Sequence, residues 1–477
     1  MPVKTNIKTK PFILTIFGAS GDLAKIKIFP VLYELMILHK LPERFFIVGF
    51  ARTKMTRKQF QTLVTKSIKA HSKRKIDTSV IKKLMENVYY FDGQYKALPD
   101  FEKYRGFISK ITKSSKGMPH VAYMAVPPTL FKDIIRNIGL TRKSKKEDIR
   151  LILEKPFGED KASAEDLFHF VSQYFNEDHF YLLDHYLGKS AVRSILHLRH
   201  ENFILSNILH GQGISNIQIT AFEDYGVKDR AGYFDQVGTI KDMIQSHLLQ
   251  LLAFVTMSIP VTMGGENLQK EKYCILSSIE CPCDEDSLVL GQYNGYRKEK
   301  DVAKQSKTET FAAMRLFMNR QEWYGVPVYI RTGKKLNEKH TYIVIEFKKF
   351  PFQSEHETPN RLIIELYPNE QVIITLVNKQ EDVEKYQQVM TSDSIACDIE
   401  GCLLEHSVLL LDVLRGDKVH FLSFAEIIAA WNVVDQLKKI ENKEKIKLEK
   451  YLGGSDGPKA QHRLVDQDGF EWYDVHK

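Results

Sequence analysis

Residues 12–17 read FILTIF and residues 18–21 read GASG, and this junction decides the fold of the amino-terminal part of the chain. A short apolar run that ends at glycine is typical of a buried parallel strand. Apolar residues then recur at helical spacing over residues 23–38, which predicts a helix whose inward face includes Ile26. The next apolar run, FFIVGF at residues 45–50, predicts a second strand and completes a right-handed βαβ unit.

The same alternation continues after this unit. Further apolar runs that predict strands lie at residues 88–91, 120–126 and 150–154. Strands that alternate with helical segments are typical of a parallel sheet with helices on both faces. The sequence therefore predicts an α/β, Rossmann-like, doubly wound nucleotide-binding domain over residues 1–183.

Beyond residue 183 the pattern changes. Two helices are predicted, from about Lys189 to Arg199 and from about Ile240 to Val255. Segments with alternating polarity follow at residues 216–223, 287–293, 326–331, 342–348, 361–367 and 371–376. Their hairpin-like spacing predicts an α+β domain over residues 184–477, with a large, mainly antiparallel sheet covered by helices.

The bulk composition supports two domains and argues against several classes of partner. A chain of 477 residues with 43% hydrophobic content is too long for one ordinary core. The formal charge of +8 is modest, and the Lys-rich stretches at residues 141–146 and 438–450 are interleaved with acidic, serine or apolar residues. Such stretches are more typical of solvated helix faces than of a nucleic-acid patch, so no nucleic-acid partner is expected.

Cysteine usage and the amino terminus indicate the compartment. The five cysteines lack the paired spacing of a zinc site, so a reducing environment and no metal are expected. They are Cys274, Cys281, Cys283, Cys397 and Cys402. Residues 1–10 are polar and basic with no apolar signal-peptide core behind them, and no apolar run reaches membrane-spanning length. We therefore expect a cytoplasmic protein with no membrane partner.

The glycine turn at residues 18–21 lies where a strand becomes a helix, so its amides and the helix dipole can meet a pyrophosphate. Because it departs from the fuller G-x-G-x-x-G pattern, a plain tight turn is the alternative. After the second strand, where an acidic residue would accept a ribose 2′-hydroxyl, the sequence has Arg52. A guanidinium there can pair with a 2′-phosphate, which predicts NADP rather than NAD. The alternative is a surface arginine beside Lys54 and Arg57.

A second motif, LDHYLGK at residues 183–189, places an acid, an imidazole, a phenol and an ammonium within seven residues. Such a set suits an anionic, hydroxyl-rich ligand. Three more segments are expected to converge on it: EKPFG at 154–158, DMIQSH at 242–247 and RTGK at 331–334. In number, order and separation these motifs, together with GASGDLAK at 18–25, make the chain resemble glucose-6-phosphate dehydrogenase along nearly its whole length.

This resemblance implies a reaction, a cofactor and an assembly. The reaction is oxidation of D-glucose 6-phosphate to 6-phospho-D-glucono-1,5-lactone with hydride transfer to NADP, the first step of the oxidative pentose phosphate pathway. NAD is the weaker alternative cofactor. The family associates through the sheet of the second domain, so a homodimer or homotetramer is expected.

The resemblance also assigns the catalytic residues. His247 is the base that removes the C1 hydroxyl proton, a role that suits an imidazole near pH 7. Asp184 hydrogen-bonds and orients that imidazole, and Lys155 orients the reacting carbon between substrate and nicotinamide. A core histidine and an aspartate that caps the turn before Tyr186 are the alternatives. Because Asp242 and His247 are five residues apart, the α-helical repeat predicts that they flank the sugar and do not share one helix face.

The remaining expected contacts divide between substrate and cofactor. The side chains expected to bind the sugar phosphate are His185, Tyr186, Lys189, Lys334 and Lys339. Glu223 and Asp242 are expected to accept hydrogen bonds from sugar hydroxyls. The expected cofactor-binding residues are Gly18, Ala19, Ser20, Gly21, Asp22, Leu23, Lys27, Arg52, Pro127 and Lys155. For Ser20 and Asp22 the alternative is a helix cap, and for the three lysines and the tyrosine of the phosphate site it is an ordinary surface position.

The sequence departs from the family pattern at Ile26, Leu182, Ser190, Phe222 and Asp224. These positions lie at the periphery of the expected site, so they bear on affinity and cofactor preference more than on reaction type. Three alternatives stay open: a dehydrogenase of another aldose phosphate or one that prefers NAD, a catalytically silent dinucleotide-binding paralogue, and a lumenal relative with an appended lactonase. Chain length and the lack of a signal peptide disfavour the last.

Overall fold

The structure is a computed structural model that describes residues 9–113, 117–282, 284–349, 359–380, 385–394 and 403–475. The chain divides into two compact units. The first comprises Met1–Lys189, Thr262–Gln269 and Asp398–Ile427, and the second comprises Ser190–Val261, Lys270–Cys397 and Ile428–Lys477. The chain therefore returns twice to the first unit. The functional boundary after residue 183 stays a prediction.

The first unit contains a six-stranded parallel sheet within the described residues, as the sequence predicts. Its strands are β1 (Phe12–Phe17), β2 (Phe45–Ala51), β3 (Val88–Asp92), β4 (His120–Met124), β5 (Ile149–Glu154) and β6 (Phe180–Leu183). Their order is β3-β2-β1-β4-β5-β6, and the order reverses between β1 and β4. In a doubly wound sheet, ligands bind at this switch point, outside the carboxyl ends of the strands.

Helices follow the strands of the first unit. They are α1 (Phe29–Ile37), α2 (Arg57–His71), α3 (Thr78–Glu86), α4 (Leu98–Thr112), α5 (Phe131–Thr141), α6 (Lys161–Ser172) and, much later, α12 (Glu405–Arg415). A short π-helix, Ala24–Ile28, precedes α1. The predicted inward position of Ile26 is wrong, since its side chain is 47% exposed. The wider π turn shifts the helical repeat and places Ala24 and Ile28 inward instead.

The core of the first unit explains why β1 reads as one unbroken apolar run. Both faces of this strand are buried, with Phe12 and Leu14 in one hydrophobic cluster. Leu409 and Leu410 of α12 belong to the same cluster, although they lie about 400 residues further along the chain. A helix distant in sequence therefore completes this core.

The second unit contains a ten-stranded mixed sheet among the described residues, mostly antiparallel as predicted. Its strands are β7 (Ile214–Phe222), β8 (Ile279–Glu280), β9 (Leu288–Tyr293), β10 (Phe311–Met318), β11 (Val328–Gly333), β12 (His340–Phe347), β13 (Arg361–Tyr367), β14 (Gln371–Gln380), β15 (Lys385–Ser394) and β16 (Leu448–Tyr451). The main order is β15-β14-β13-β12-β7-β11-β10-β9-β16, with β8 paired to β10. The pairs β7/β11 and β9/β16 are parallel.

The remaining helices are α7 (Ser190–Glu201), α8 (Phe203–Ile208), α9 (Ala231–Thr239), α10 (Leu249–Thr256), α11 (Gly265–Ser277), α13 (Phe424–Lys443) and α14 (Arg463–Asp466). The helix predicted from about Ile240 to Val255 is present, but its first half, Ile240–Leu248, is a π-helix. None of the helices in the described ranges combines the length and the apolar character needed to cross a membrane.

Of the five cysteines, Cys283, Cys397 and Cys402 lie outside the described residues. Cys281 is buried and Cys274 is partly exposed. In the part of the chain that the structure describes, no group of three or more histidine, cysteine, aspartate or glutamate side chains is arranged to hold a metal ion. The reducing compartment stays a prediction.

Candidate active site

The glycine turn closes tightly against the ends of three strands. The Gly18 N–H donates to the Phe50 carbonyl oxygen at 2.9 Å, and the Gly21 N–H donates to the Gly18 carbonyl oxygen at 2.8 Å. Gly18 has φ +86°, and a Cβ atom there would lie 2.1 Å from the carbonyl oxygen of Ala125. Only glycine adopts this positive φ readily and also lacks the Cβ atom that would clash with Ala125. The turn therefore brings backbone amides to the switch point of the sheet, close to the segment that includes exposed Pro127.

The helix after this turn begins without a side-chain cap. Residues 22 and 23 are already helical, and the Lys25 N–H donates to the Gly21 carbonyl oxygen at 3.2 Å, so the helix starts directly at the end of the glycine turn. Asp22 is exposed and pairs with Lys25 at 3.3 Å, and Ser20 is partly exposed. The alternative that Ser20 or Asp22 caps the helix is therefore not what the structure shows. A helix start without a side-chain cap suits a phosphate ligand, which would accept hydrogen bonds from its amides.

Arg52 lies just after β2, where the sequence places it, and its side chain is exposed. Its guanidinium carbon lies 5.7 Å from the ring centroid of Tyr95. Burial raises the pKa of the Tyr95 phenol, while Arg52 and the backbone amide of Gly18 act in the opposite direction. Tyr95 therefore connects the glycine turn with Arg52. Tyr95 was not predicted from the sequence, although its position shortly after β3 was a signal for the same sheet edge.

Lys27 lies in basic surroundings. It lines a cavity of about 320 Å³ together with Lys73, Arg74 and His406. Burial, with the charges of Lys27 and Lys73, lowers the pKa of His406 to about 4. The rings of His406 and His185 stack with centroids 6.2 Å apart. His406 was missed because no local motif connects it with residues more than 200 positions earlier.

Lys155 and Asp184 meet at the carboxyl ends of β5 and β6. The last residues of the two strands, Glu154 and Leu183, are partners in the parallel register, so the residues that follow them are neighbours. The Lys155 Nζ lies 2.7 Å from Asp184 Oδ2. Asp184 is fully buried and Lys155 is 22% exposed. The Asp184 carboxylate of this ion pair is thus shielded from water, while the Lys155 ammonium is partly exposed.

Asp184 also caps the turn that follows it. Its Oδ1 accepts the Tyr186 N–H at 2.9 Å, at the start of the short 3-10 helix His185–Gly188. The capping alternative is therefore correct, and it coexists with the ion pair because the two carboxylate oxygens have different partners. The Lys189 Nζ lies 3.7 Å from the centroid of the Tyr186 ring. This turn gathers the imidazole, phenol and ammonium expected to bind phosphate.

In the second unit, Lys334 holds two of the expected carboxylates together. Its Nζ lies 2.5 Å from Glu223 Oε2 and 3.3 Å from Asp242 Oδ2. Lys334 is only 8% exposed, so the alternative of an ordinary loop lysine is wrong for it. Lys339 is exposed, and its ammonium lies 4.2 Å from the ring centroid of Tyr367.

Arg331 belongs to the same predicted segment as Lys334 but has a different role. Its buried guanidinium donates to Thr220 Oγ1 at 3.0 Å and lies 4.2 Å from the ring centroid of Trp472. It therefore fastens the carboxyl-terminal residues to the sheet. The expectation that the whole segment faces the ligand is wrong for this side chain.

His247 and Asp242 lie on the π-helix Ile240–Leu248, and this corrects the prediction drawn from the α-helical repeat. The Leu249 N–H donates to the Ile244 carbonyl oxygen, a bond that spans five residues. With this repeat, residues five apart lie nearly above one another, so Asp242 and His247 share a helix face. Single-turn π segments occur often at functional sites. His247 is 7% exposed, a value compatible with a shielded base and with a core histidine.

Three of the departures from the family pattern serve local packing. Leu182 and Phe222 are buried at or near the ends of their strands, where a basic side chain would be costly. Ser190 donates a hydrogen bond to a carboxylate oxygen of Glu370. Asp224 is exposed. The expected site residues thus form two groups, one within each unit, and the pairing of Asp184 with His247 stays a prediction.

Two family models match the chain in succession: "Glucose-6-phosphate dehydrogenase, NAD binding domain" over residues 15–194, and "Glucose-6-phosphate dehydrogenase, C-terminal domain" over residues 196–473. Glucose-6-phosphate 1-dehydrogenase 6, cytoplasmic, of Arabidopsis thaliana is 34% identical over 472 residues, covering 96% of this chain and 91% of the relative. The chloroplastic enzyme of Nicotiana tabacum is 34% identical over 487 residues, covering 97% of this chain and 81% of the relative.

A solved structure described as glucose-6-phosphate dehydrogenase in complex with its substrate glucose-6-phosphate matches with a TM-score of 0.89 at 28% identity. The match covers 97% of this chain and 98% of the solved chain. The agreement therefore extends through both units, and residues 15–194 match the nicotinamide-dinucleotide-binding domain of this oxidoreductase family. The chain belongs to the glucose-6-phosphate dehydrogenase family.

Proposed function

We propose that the protein oxidises D-glucose 6-phosphate to 6-phospho-D-glucono-1,5-lactone and transfers the hydride to NADP. The observation that carries the proposal is the 2.7 Å pair of Lys155 and Asp184 at the carboxyl ends of neighbouring strands. A buried carboxylate and an ammonium at this edge suit a reaction that needs an oriented base and a fixed reacting carbon. Family membership supplies the identity of the sugar.

The residues at the switch point fit a dinucleotide. The tight turn at Gly18 brings backbone amides to the switch point, where they can donate to a pyrophosphate, and exposed Arg52 offers a guanidinium to a 2′-phosphate. NADP would be held by the expected cofactor residues from Gly18 to Leu23, with Lys27, Arg52, Pro127 and Lys155. When bound, it supplies the hydride acceptor.

The chain's own residues supply the proton chemistry. His247 takes the proton of the C1 hydroxyl as the C1 hydrogen leaves with its electron pair, so that the lactone carbonyl forms. Asp184 orients the imidazole and stabilises the imidazolium that results. Lys155 holds the reacting carbon in place, and its own position is fixed by Asp184.

Substrate recognition is assigned to both groups of side chains. Glu223 and Asp242 accept hydrogen bonds from sugar hydroxyls, and Lys334 holds both carboxylates in place. A sugar with the wrong stereochemistry would leave these carboxylates without hydroxyl partners, which is a strong basis for rejection. His185, Tyr186, Lys189, Lys334 and Lys339 are the proposed phosphate contacts.

A spectrophotometric assay of the purified protein tests this function. We expect reduction of NADP with glucose 6-phosphate, slower reduction of NAD, and little turnover of other aldose phosphates. Faster turnover of another sugar phosphate would identify a related dehydrogenase. Binding of NADP without turnover of any of these sugars would favour the catalytically silent paralogue.

Arg52→Ala is expected to raise the Michaelis constant for NADP by about 10- to 100-fold and to leave that for NAD nearly unchanged. One charge-assisted hydrogen-bond network to a phosphate contributes roughly 1.5–3 kcal/mol, and each 1.4 kcal/mol is about tenfold in affinity. Initial rates with both cofactors provide the measurement. Lys54→Ala, at an exposed position two residues away, is the matched control. Equal effects of Arg52→Ala on both cofactors would contradict the 2′-phosphate role.

Assembly and location complete the proposal. We infer a homodimer or homotetramer that associates through the sheet of the second unit, as the resemblance implies. Sedimentation of the purified protein would measure this directly, and a monomer at the concentration of the assay would contradict it. The cytoplasmic location stays a prediction.

A further inference from the structure

Glu309 lies just before β10 and contacts the start of the π-helix that carries Asp242 and His247. Its side-chain Oε1 accepts the Ile240 N–H at 3.0 Å. Its main-chain carbonyl oxygen accepts the Thr239 N–H at 3.2 Å. The first amides of a helix have no partner within the helix, so this residue satisfies two of them.

The backbone leaves helical geometry at Gly238, and the Glu309 carboxylate lies against the backbone at this break. Gly238 has φ +73° and ψ 170°, within the run assigned to α9. A Cβ atom at this position would lie 2.4 Å from Glu309 Oε1. The positive φ and the close approach both require glycine. The helix start and the carboxylate are therefore built to fit each other.

The residue after Glu309 fixes the other part of the sugar-side group. The Thr310 carbonyl oxygen accepts the Lys334 N–H at 2.9 Å. The Lys334 Nζ in turn lies 3.3 Å from Asp242 on the π-helix. Glu309 therefore holds the start of the π-helix and Thr310 holds Lys334. Together these two consecutive residues fix the distance between Lys334 and Asp242.

The charged surroundings of Glu309 come from several elements. Burial raises the pKa of Glu309 to about 7, and the Ile240 N–H opposes this rise. Glu441 of α13 raises the pKa further, Lys241 of the π-helix lowers it, and the Tyr296 phenol also faces the carboxylate. Because the pKa is raised on folding from 4.5, the native protein loses stability as pH rises through the window from 4.5 to about 7.

We propose that Glu309 is a positioning residue for the dehydrogenase reaction, whose ionised carboxylate holds the π-helix with Asp242 and His247 in register with Lys334. This inference rests on the proposed function. A carboxylate accepts a stronger hydrogen bond from an amide than a protonated carboxyl does, and its charge is favourable at a helix start. Protonation of Glu309 therefore weakens its bond to the helix start, and turnover falls below about pH 7 for this reason.

The test compares Glu309→Gln, Glu309→Ala and wild type over pH. Wild type is expected to lose kcat below about pH 7 with a slope that includes the proton taken up by Glu309. Glu309→Gln keeps an acceptor oxygen but cannot ionise, so it should resemble the protonated enzyme, with a lower kcat than wild type above about pH 7 and a pH slope that is shallower by one proton. Glu309→Ala should reduce kcat by on the order of 10-fold at every pH, because the helix start shifts.

The matched control is Glu322→Gln, an exposed glutamate of the same unit that pairs with Arg320. Its pH profile should match wild type. A Glu309→Gln enzyme with the wild-type slope would overturn the proposal, as would a Glu309→Ala enzyme with wild-type kcat.

Hydrogen exchange gives a readout that needs no activity. After correction for intrinsic rates, amides at the start of the π-helix should be less protected in Glu309→Ala than in wild type at the same pH, because the Ile240 amide loses its acceptor. Unchanged protection would overturn the role of Glu309. If wild type does not turn over glucose 6-phosphate, the proposed function fails, while hydrogen exchange still tests the contact between Glu309 and the helix start. If wild type turns over the sugar but the Glu309 variants change neither the pH slope of kcat nor the amide protection, only this inference fails.

Discussion

His247→Asn is expected to reduce kcat with glucose 6-phosphate and NADP by on the order of 10²- to 10⁴-fold, the usual contribution of a general base. Asparagine has nearly the reach of histidine but no group that takes up a proton near pH 7. Because the side chain is only 7% exposed, a modest loss of stability of about 1 kcal/mol is also expected. Stopped assays with high enzyme concentration would measure the residual rate, and circular dichroism would confirm the fold.

The control for this variant is His462→Asn, an exposed histidine in the same unit. It should retain wild-type kcat and stability. A His247→Asn enzyme with near-wild-type turnover would remove His247 as the base, and the core-histidine alternative would then be the correct one.

Asp184→Asn is expected to affect both catalysis and stability. The substitution keeps an oxygen for the Tyr186 N–H but turns an amide or a neutral oxygen toward the Lys155 ammonium. Loss of one partner of a buried ion pair leaves the other charge poorly compensated. We expect about 2–3 kcal/mol of destabilisation, below the value for a fully buried pair because Lys155 is 22% exposed. We expect kcat to fall by on the order of 10²- to 10³-fold, since the base loses its orienting carboxylate.

Denaturant unfolding and initial rates on the same preparation separate the two effects. Asp148→Asn is the control, because it removes the carboxylate of the more exposed Arg150–Asp148 pair and should cost about 0–1 kcal/mol without change in kcat. Full stability of Asp184→Asn would contradict the energetic role of the ion pair. Full turnover would remove Asp184 from the proton chemistry.

The sheet of the first unit could be predicted from the sequence because its strands are buried on both faces. FILTIF and FFIVGF are unbroken apolar runs for that reason, and each ends at the sheet edge where the ligand site lies. The strands of the second unit could be predicted in the same way from their alternating polarity. The parallel pairing of β7 with β11 and of β9 with β16 could not be predicted, because these strands are about 110 and 160 residues apart and the hydrophobic pattern does not show which strands pair.

The same distinction applies to the site. Lys155 and Asp184 each follow a recognisable strand, so their meeting follows once β5 and β6 are neighbours. The π-helix was not predictable, because its amide bonds shift by one residue without any change in the apolar pattern, and both the position of Ile26 and the face of His247 were therefore misjudged. Glu309 was missed for a similar reason, since only the folded chain brings it to the helix start.

The return of residues 398–427 to the first unit has a consequence for biosynthesis. Leu409 and Leu410 complete the hydrophobic cluster that also contains Phe12 and Leu14, yet the ribosome adds them hundreds of residues later, and until then part of the apolar surface of this cluster is uncovered. During that interval the nascent chain must display this surface, which makes it a substrate for chaperones. A fragment that stops after residue 183 would retain the same uncovered patch and should aggregate, so the nucleotide-binding unit is obtained within the full chain and not by early truncation.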